Sequence, residues 1–203
     1  IFTFAQSQTG TKPPKGFKIT YTRSSNGKHI ENQDAIFVFT NPTETLVTTE
    51  KMNSGKAEFP FEQTLINRSE NKIIQVTQLK KDKSATTVDS LSLAKQNFEF
   101  LSDTKTILGY KCQKAKTIIN SNTIELWYTN ELQVKGAPTA LGQNIGLVLE
   151  MVRNGNFVIS ATKIEKMKSV NPSLELQKST TKSPVIDGLT YKDLVWKSRF
   201  TTI

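Results

Sequence analysis

The chain has 203 residues and a mass of 22.7 kDa, enough for one large domain or two small ones. Its 26 Thr, 16 Ser, 11 Phe and 7 Pro favour strands and turns, and no stretch approaches the ~18 apolar residues of a membrane-spanning helix. The charge is +9 (27 basic against 18 acidic side chains), but it is spread evenly, with 13 basic residues in the first hundred positions and 14 in the rest, so no nucleic-acid-binding stripe forms.

Ile1-Phe2-Thr3-Phe4-Ala5-Gln6-Ser7 reads as the end of a secretory apolar region before a small-residue cleavage zone. Residues 1–15 are therefore read as a signal-peptide remnant and a flexible entry. Phe17, Ile19 and Tyr21 then alternate with polar residues, the period of a strand with one buried face. Asn26-Gly27 predicts a tight hairpin turn. Ile36 to Phe39 and Leu46-Val47 predict short strands, Phe59 to Leu65 an extended stretch, and Ile73 to Leu79 a β-branched strand. Residues 80–92 read as a polar loop, and Ser90 to Phe98 as a candidate helix.

The middle of the chain predicts two hairpins. One runs from Ile107 through the Asn120-Ser121-Asn122 turn to Thr129. Its first arm changes phase between Cys112 and Ala115, which suggests a β-bulge near Lys114. The second runs from Ile145 through Asn154-Gly155 to Ala161. Residues 16–168 thus form a β-rich domain. Residues 169–184 read as a polar linker, and 185–203 as an apolar segment that packs back or leads into another module.

Catalytic constellations are scarce. There is one cysteine, Cys112, and one histidine, His29, which excludes an intramolecular disulfide and a thiolate zinc site. Cys112 lies in an apolar alternation and reads as a buried structural thiol. No phosphate-cradling or metal-ligating motif is present, so no cofactor and no metal are expected. Glu125 shares a strand face with Trp127, which allows either a ligand platform or a core aromatic, and Glu150 is a second acid in an apolar segment.

Three segments carry a family resemblance: Gly109-Tyr110-Lys111-Cys112-Gln113-Lys114-Ala115, then Trp127-Tyr128-Thr129, then Gly142 through Met151. Together they resemble the GLPGLI family, exported proteins of Bacteroidetes, although the Pro of the signature is missing and one extra residue separates the glycines. The resemblance implies a mainly β fold, a curved antiparallel half-barrel similar to periplasmic lipoprotein carriers, with few short helices. It implies a periplasmic, outer-membrane-associated or secreted location and no catalytic residues. Asp89-Ser90-Leu91 also fits an O-glycosylation form of that bacterial group, at Ser90.

The leading functional expectation is a non-catalytic envelope protein. Its concave face would bind a protein partner or a lipid-like ligand, with a subunit role in an outer-membrane-associated complex as one form of that expectation. The residues assigned to that face are Trp127, Tyr128, Ile145, Leu147, Leu149, Phe157 and Ile159. The alternative is an N-terminal accessory domain of a larger secreted enzyme. A third reading is a stand-alone hydrolase that uses acidic residues.

Overall fold

A computed structural model describes residues 15–31, 33–179 and 183–200 of the chain. The expected signal-peptide remnant, apart from Lys15, lies outside these residues. Among them, strands β1 (Gly16–Ser25), β2 (Lys28–His29), β3 (Ile36–Thr40), β4 (Glu44–Thr49), β5 (Phe61–Asn67) and β6 (Lys72–Lys80) precede β7 (Lys83–Asp89). Then follow β8 (Glu99–Ile107), β9 (Tyr110–Ile119), β10 (Asn122–Thr129), β11 (Leu147–Arg153) and β12 (Phe157–Met167). Three helices accompany them, α1 (Glu50–Asn53), α2 (Pro172–Ser179) and α3 (Gly188–Phe200). No helix among the described residues is long and apolar enough to cross a membrane.

The strands form one open antiparallel sheet in the order β7-β6-β5-β4-β3-β1-β12-β11-β10-β9-β8, with β2 beside β1. The mainly β fold with few short helices is therefore the one expected. Two meanders, β3 to β7 and β8 to β12, meet where β1 pairs with β12 from Gly16↔Met167 to Ser25↔Phe157. The predicted hairpins close on tight turns with both central residues at positive φ: Asn26-Gly27 (50° and 73°), Asn120-Ser121 (48° and 63°) and Asn154-Gly155 (51° and 72°). That geometry matches the right-handed twist of the strands it joins.

Both faces of the sheet carry a core. The pairings Tyr21↔Ile36 and Ile19↔Val38 place these four side chains on one face, and all are buried. Phe37 and Phe39 point to the opposite face and join Leu46, Leu65 and Val76 there. This explains why β3 is an uninterrupted apolar run rather than an alternation. The second face is covered by α2, whose Leu176, with Val170 before it, packs into that cluster. Asn41 Nδ2 donates to Val170 O (3.1 Å), and Ser173 Oγ donates to the Glu44 carboxylate (2.5 Å), so the helix is tied to the β3–β4 turn. A helix thus occupies 172–179, within the stretch read as a polar linker.

Three local expectations change. Most of the 80–92 stretch, read as a polar loop, is strand β7, whose Ser84 to Thr87 are buried against β6. Residues 90–98 form turns and no helix, with Asp89 accepting from the backbone N–H groups of Leu91 and Ser92 (both 2.8 Å). The register irregularity near Lys114 sits on the partner strand, between Leu101 and Thr104 of β8. β9 itself stays regular against β10, and its phase change arises because Cys112 and Ala115 are both buried.

The C-terminal segment packs back along the β7 edge. Thr86 N–H donates to Pro184 O (2.9 Å) and Ile186 N–H to Thr86 O (2.8 Å), which blunts the edge. Asp187 then caps α3, accepting from Leu189 N–H and Thr190 N–H at 3.0 Å each. The helix is held to the sheet by buried Tyr191, whose hydroxyl donates to Glu62 (2.8 Å).

The hydrogen bond from the Thr190 hydroxyl, followed by the backbone bond, holds the Asp187 carboxyl below the ordinary aspartate pKa. A depressed folded-state value means that the cap stabilises fully above the unfolded pKa and is lost as pH falls through the folded one. Acid should therefore loosen the first turn of α3, seen as movement of the Leu189 and Thr190 amide resonances. Asp187→Asn should remove that acid-dependent movement. Tyr21→Phe tests the core: the buried Tyr21 hydroxyl donates to Val148 O (2.7 Å), and losing it should lower stability by about 1–2 kcal/mol in a urea titration. An unchanged midpoint would show that the bond contributes nothing.

Candidate functional site

The seven residues assigned to a ligand face belong to, or pack against, the chain's own core, and they do not share one face, since Trp127 points away from Leu126 and Tyr128 on β10. Leu147 and Leu149 are fully buried, and Ile159, Tyr128 and Trp127 are 5%, 7% and 9% exposed. Ile145 and Phe157 are half-buried against the same cluster. The connection between β10 and β11, residues 130–146, supplies the cover: Val134 and Ala137 join Ile19, Tyr21, Val38 and Leu126 in one apolar cluster. Gly136 N–H donates to Gly146 O (3.0 Å), Val148 N–H to Gly136 O (2.8 Å), and the Thr40 hydroxyl to Lys135 O (2.5 Å). The apolar surface that a ligand would need is already occupied.

Trp127 lies on the other side of β10, under two cations. Lys105 Nζ stands 4.3 Å and Lys114 Nζ 4.9 Å from its ring centroid. Lys105 is ion-paired with Glu150, which also accepts from Ser160 Oγ (3.3 Å). Lys114 bridges Asp103 (3.1 Å) and Glu125 (3.7 Å), and the hydrogen bond with Asp103 is the main reason its pKa is raised. Glu125 and Glu150 are thus each held by a lysine, and Trp127 reads as a packed aromatic with cation–π partners.

The remaining candidates stand apart. Burial pushes the Cys112 thiol pKa up, the opposite of what a reactive thiolate needs. His29 is exposed on the short β2 strand. Ser90 is exposed in the turn after β7, where Asn71 Nδ2 donates to its carbonyl (3.0 Å). Among the described residues no cluster of three or more His, Cys, Asp or Glu side chains could hold a metal ion.

A concavity lies on the second face, between α1, β4, β5 and α2. It measures about 470 Å³. Leu46, Met52, Ala57, Phe59 and Phe61 form its apolar wall. Thr48, Asn53, Gln63 and Glu175 supply polar groups. Phe59 and Phe61 are stacked, with centroids 5.4 Å apart and planes 20° from parallel, and Phe59 is 42% exposed. At the floor, buried Gln63 Nε2 donates to Thr48 Oγ1 (2.8 Å). The sequence reading marked this stretch only as extended. The usable signal was the pair of aromatics two positions apart, which an extended chain projects on one side.

Comparison with known proteins corrects the resemblance drawn from the sequence. The family profile described as "N-glycanase peptide, N-terminal domain" matches residues 19–193. Two crystal structures of PNGF-II superpose with TM-scores of 0.85 and 0.83 at 46% and 45% identity, each over 91% of this chain. The chain spans about a third of the length of those proteins, 34% and 33%. No curated protein matches the chain.

The GLPGLI assignment is therefore overturned. Its short motifs report local β geometry. Gly109 sits in a hairpin turn at φ 86°. Gly146, at φ 142°, has no room for a side chain, since a Cβ there would lie 2.8 Å from Thr129 O. Cys112 and the Trp127-Tyr128 pair are core positions. Such requirements recur in unrelated β-meanders. On the match over 19–193 and the identity across nine-tenths of its length, the chain belongs to the N-glycanase N-terminal domain family.

Proposed function

We propose that this chain is the N-terminal accessory domain of a longer, exported N-glycanase, and that the bond-breaking residues lie elsewhere in that enzyme. The observation that carries this reading is the 46% identity over 91% of the chain to a protein of which it matches only a third. The internal geometry agrees. Glu125 and Glu150 are engaged by lysines, and burial pushes the Cys112 thiol pKa up. The carrier reading has no such support, because the side chains assigned to the ligand face belong to, or pack against, the chain's own buried core, which Val134 and Ala137 of residues 130–146 join. Export follows from the substrate class, since N-linked glycans decorate secreted proteins.

The same reading accounts for α3. One side of the helix is anchored by Tyr191. Leu189 and Trp196, seven residues apart and so on one face, are 81% and 64% exposed, and nearby Val185 is 69% exposed. Apolar side chains this open, next to a segment that already caps a sheet edge, suit a contact with the catalytic part of the same polypeptide.

Two measurements test this. The 203-residue chain alone should release no glycan from a glycopeptide. Deleting it from the full enzyme should leave kcat/KM on a short glycopeptide within about two-fold while lowering it on a folded glycoprotein. Glycan release by the isolated chain would contradict the proposal. Acrylamide should quench Trp196 but not Trp127 in the isolated chain, and Trp196 should become protected in the full enzyme. Equal quenching of Trp196 in both would remove the docking role of α3.

A further inference from the structure

We propose that the pocket between α1, β4, β5 and α2 is a carbohydrate subsite, one that takes a neutral sugar unit of the N-linked glycan or of its neighbours on the glycoprotein. The choice of ligand class rests on the accessory-domain reading; the site itself rests on the pocket.

Three features of the lining select the ligand. First, the chain carries +9, yet among the described residues no Lys or Arg lines this pocket, and the one charged lining residue there is Glu175. A phosphate, a sulfate or an acidic sugar would find no cation there. Second, Phe59 and Phe61 present a stacked aromatic wall that is partly open to solvent. The C–H face of a pyranose ring is flat and apolar, and it can lie on such a wall while its hydroxyls point sideways. Third, the lining also carries polar groups, the amides of Asn53 and Gln63, the Glu175 carboxylate and the hydroxyl of Thr48, the last engaged by Gln63 and Met52 Sδ. An acyl chain would desolvate these polar groups with nothing to offer them, whereas a sugar carries hydroxyls able to bond with them.

The size fits as well. At about 470 Å³ the pocket falls within the roughly 300–1,000 Å³ range of small-ligand clefts. Its floor is firm: Leu46, Thr48, Met52 and Gln63 are all buried, and the Gln63–Thr48 hydrogen bond fixes two of the polar groups. A sugar held here would let the domain grip the glycosylated substrate while hydrolysis proceeds in another part of the enzyme.

The test is titration of the 203-residue chain with N,N′-diacetylchitobiose and, separately, methyl α-mannoside, followed by amide nitrogen–proton correlation spectra. The expected result is a saturable shift with at least one sugar, of millimolar affinity, confined to residues 46–63 and the α2 turn around Glu175. Phe59→Ala, at the mouth and outside the buried clusters, should weaken binding about three- to ten-fold with the thermal midpoint unchanged. No saturable shift with either sugar up to the solubility limit would overturn the proposal. So would shifts unaffected by Phe59→Ala, or tighter binding of decanoate than of either sugar. Loss of this proposal leaves the accessory-domain reading standing, since that reading is decided by the deletion assay. Sugar binding by a domain whose deletion changes nothing would overturn the accessory-domain reading alone.

Discussion

A small set of buried polar contacts holds residues 130–146 onto the sheet, and the rest of the molecule is arranged around that cover. Gln96 donates to Ala140 O and accepts from Gly142 N–H, while the Thr40 and Thr45 hydroxyls reach Lys135 O. Arg68 stands beside them, donating to Thr45 Oγ1 (2.6 Å), Glu44 O (3.0 Å) and Asn41 O. Burial pulls its guanidinium pKa down to about 10, and these acceptors are what make a charge tolerable at that depth. An open sheet of this size would otherwise leave an apolar face in water. Here the chain itself covers it.

That constraint decides where function can sit. With one face filled by residues 130–146, the accessible chemistry is displaced to the other face and to the sheet ends. The second face is only partly roofed, because α2 covers Phe37, Phe39 and Leu46 and leaves the aromatic pocket beside it. At one sheet end, the C-terminal segment blunts the β7 edge and then presents Leu189 and Trp196 outward. A pocket for recognition and an apolar helix face for attachment are a coherent pair of features for a domain that serves a larger enzyme.

Much of this fold was legible from residues alone. Asn26-Gly27 and Asn154-Gly155 mark hairpins because few other residues accept two consecutive positive φ angles. Alternation in Phe17 to Tyr21 located a strand, since a half-buried ladder imposes a period of two. Cover is harder to read. Leu147 and Leu149 look alike as an open ligand face and as a core beneath a loop, because burial by one's own chain and by a ligand make the same demand on a side chain. The polar composition around 172–179 concealed a helix whose buried contact rests largely on Val170 and Leu176. The motif resemblance failed for a related reason: glycines at positive φ and packed aromatics answer to backbone geometry, which unrelated β-sheets share. The candidate pocket was the least visible part, since its polar groups come from segments more than a hundred residues apart, such as Thr48 and Glu175.

Hydrogen exchange at the amides of Gly136 and Val148 tests the central claim most directly. If residues 130–146 are a fixed part of the core, these two amides, bonded to Gly146 O and Gly136 O, exchange as slowly as those of the central strands β1 and β12. Rapid exchange there, with the strands still protected, would mean that the cover opens and that the apolar face beneath it is available to a ligand after all.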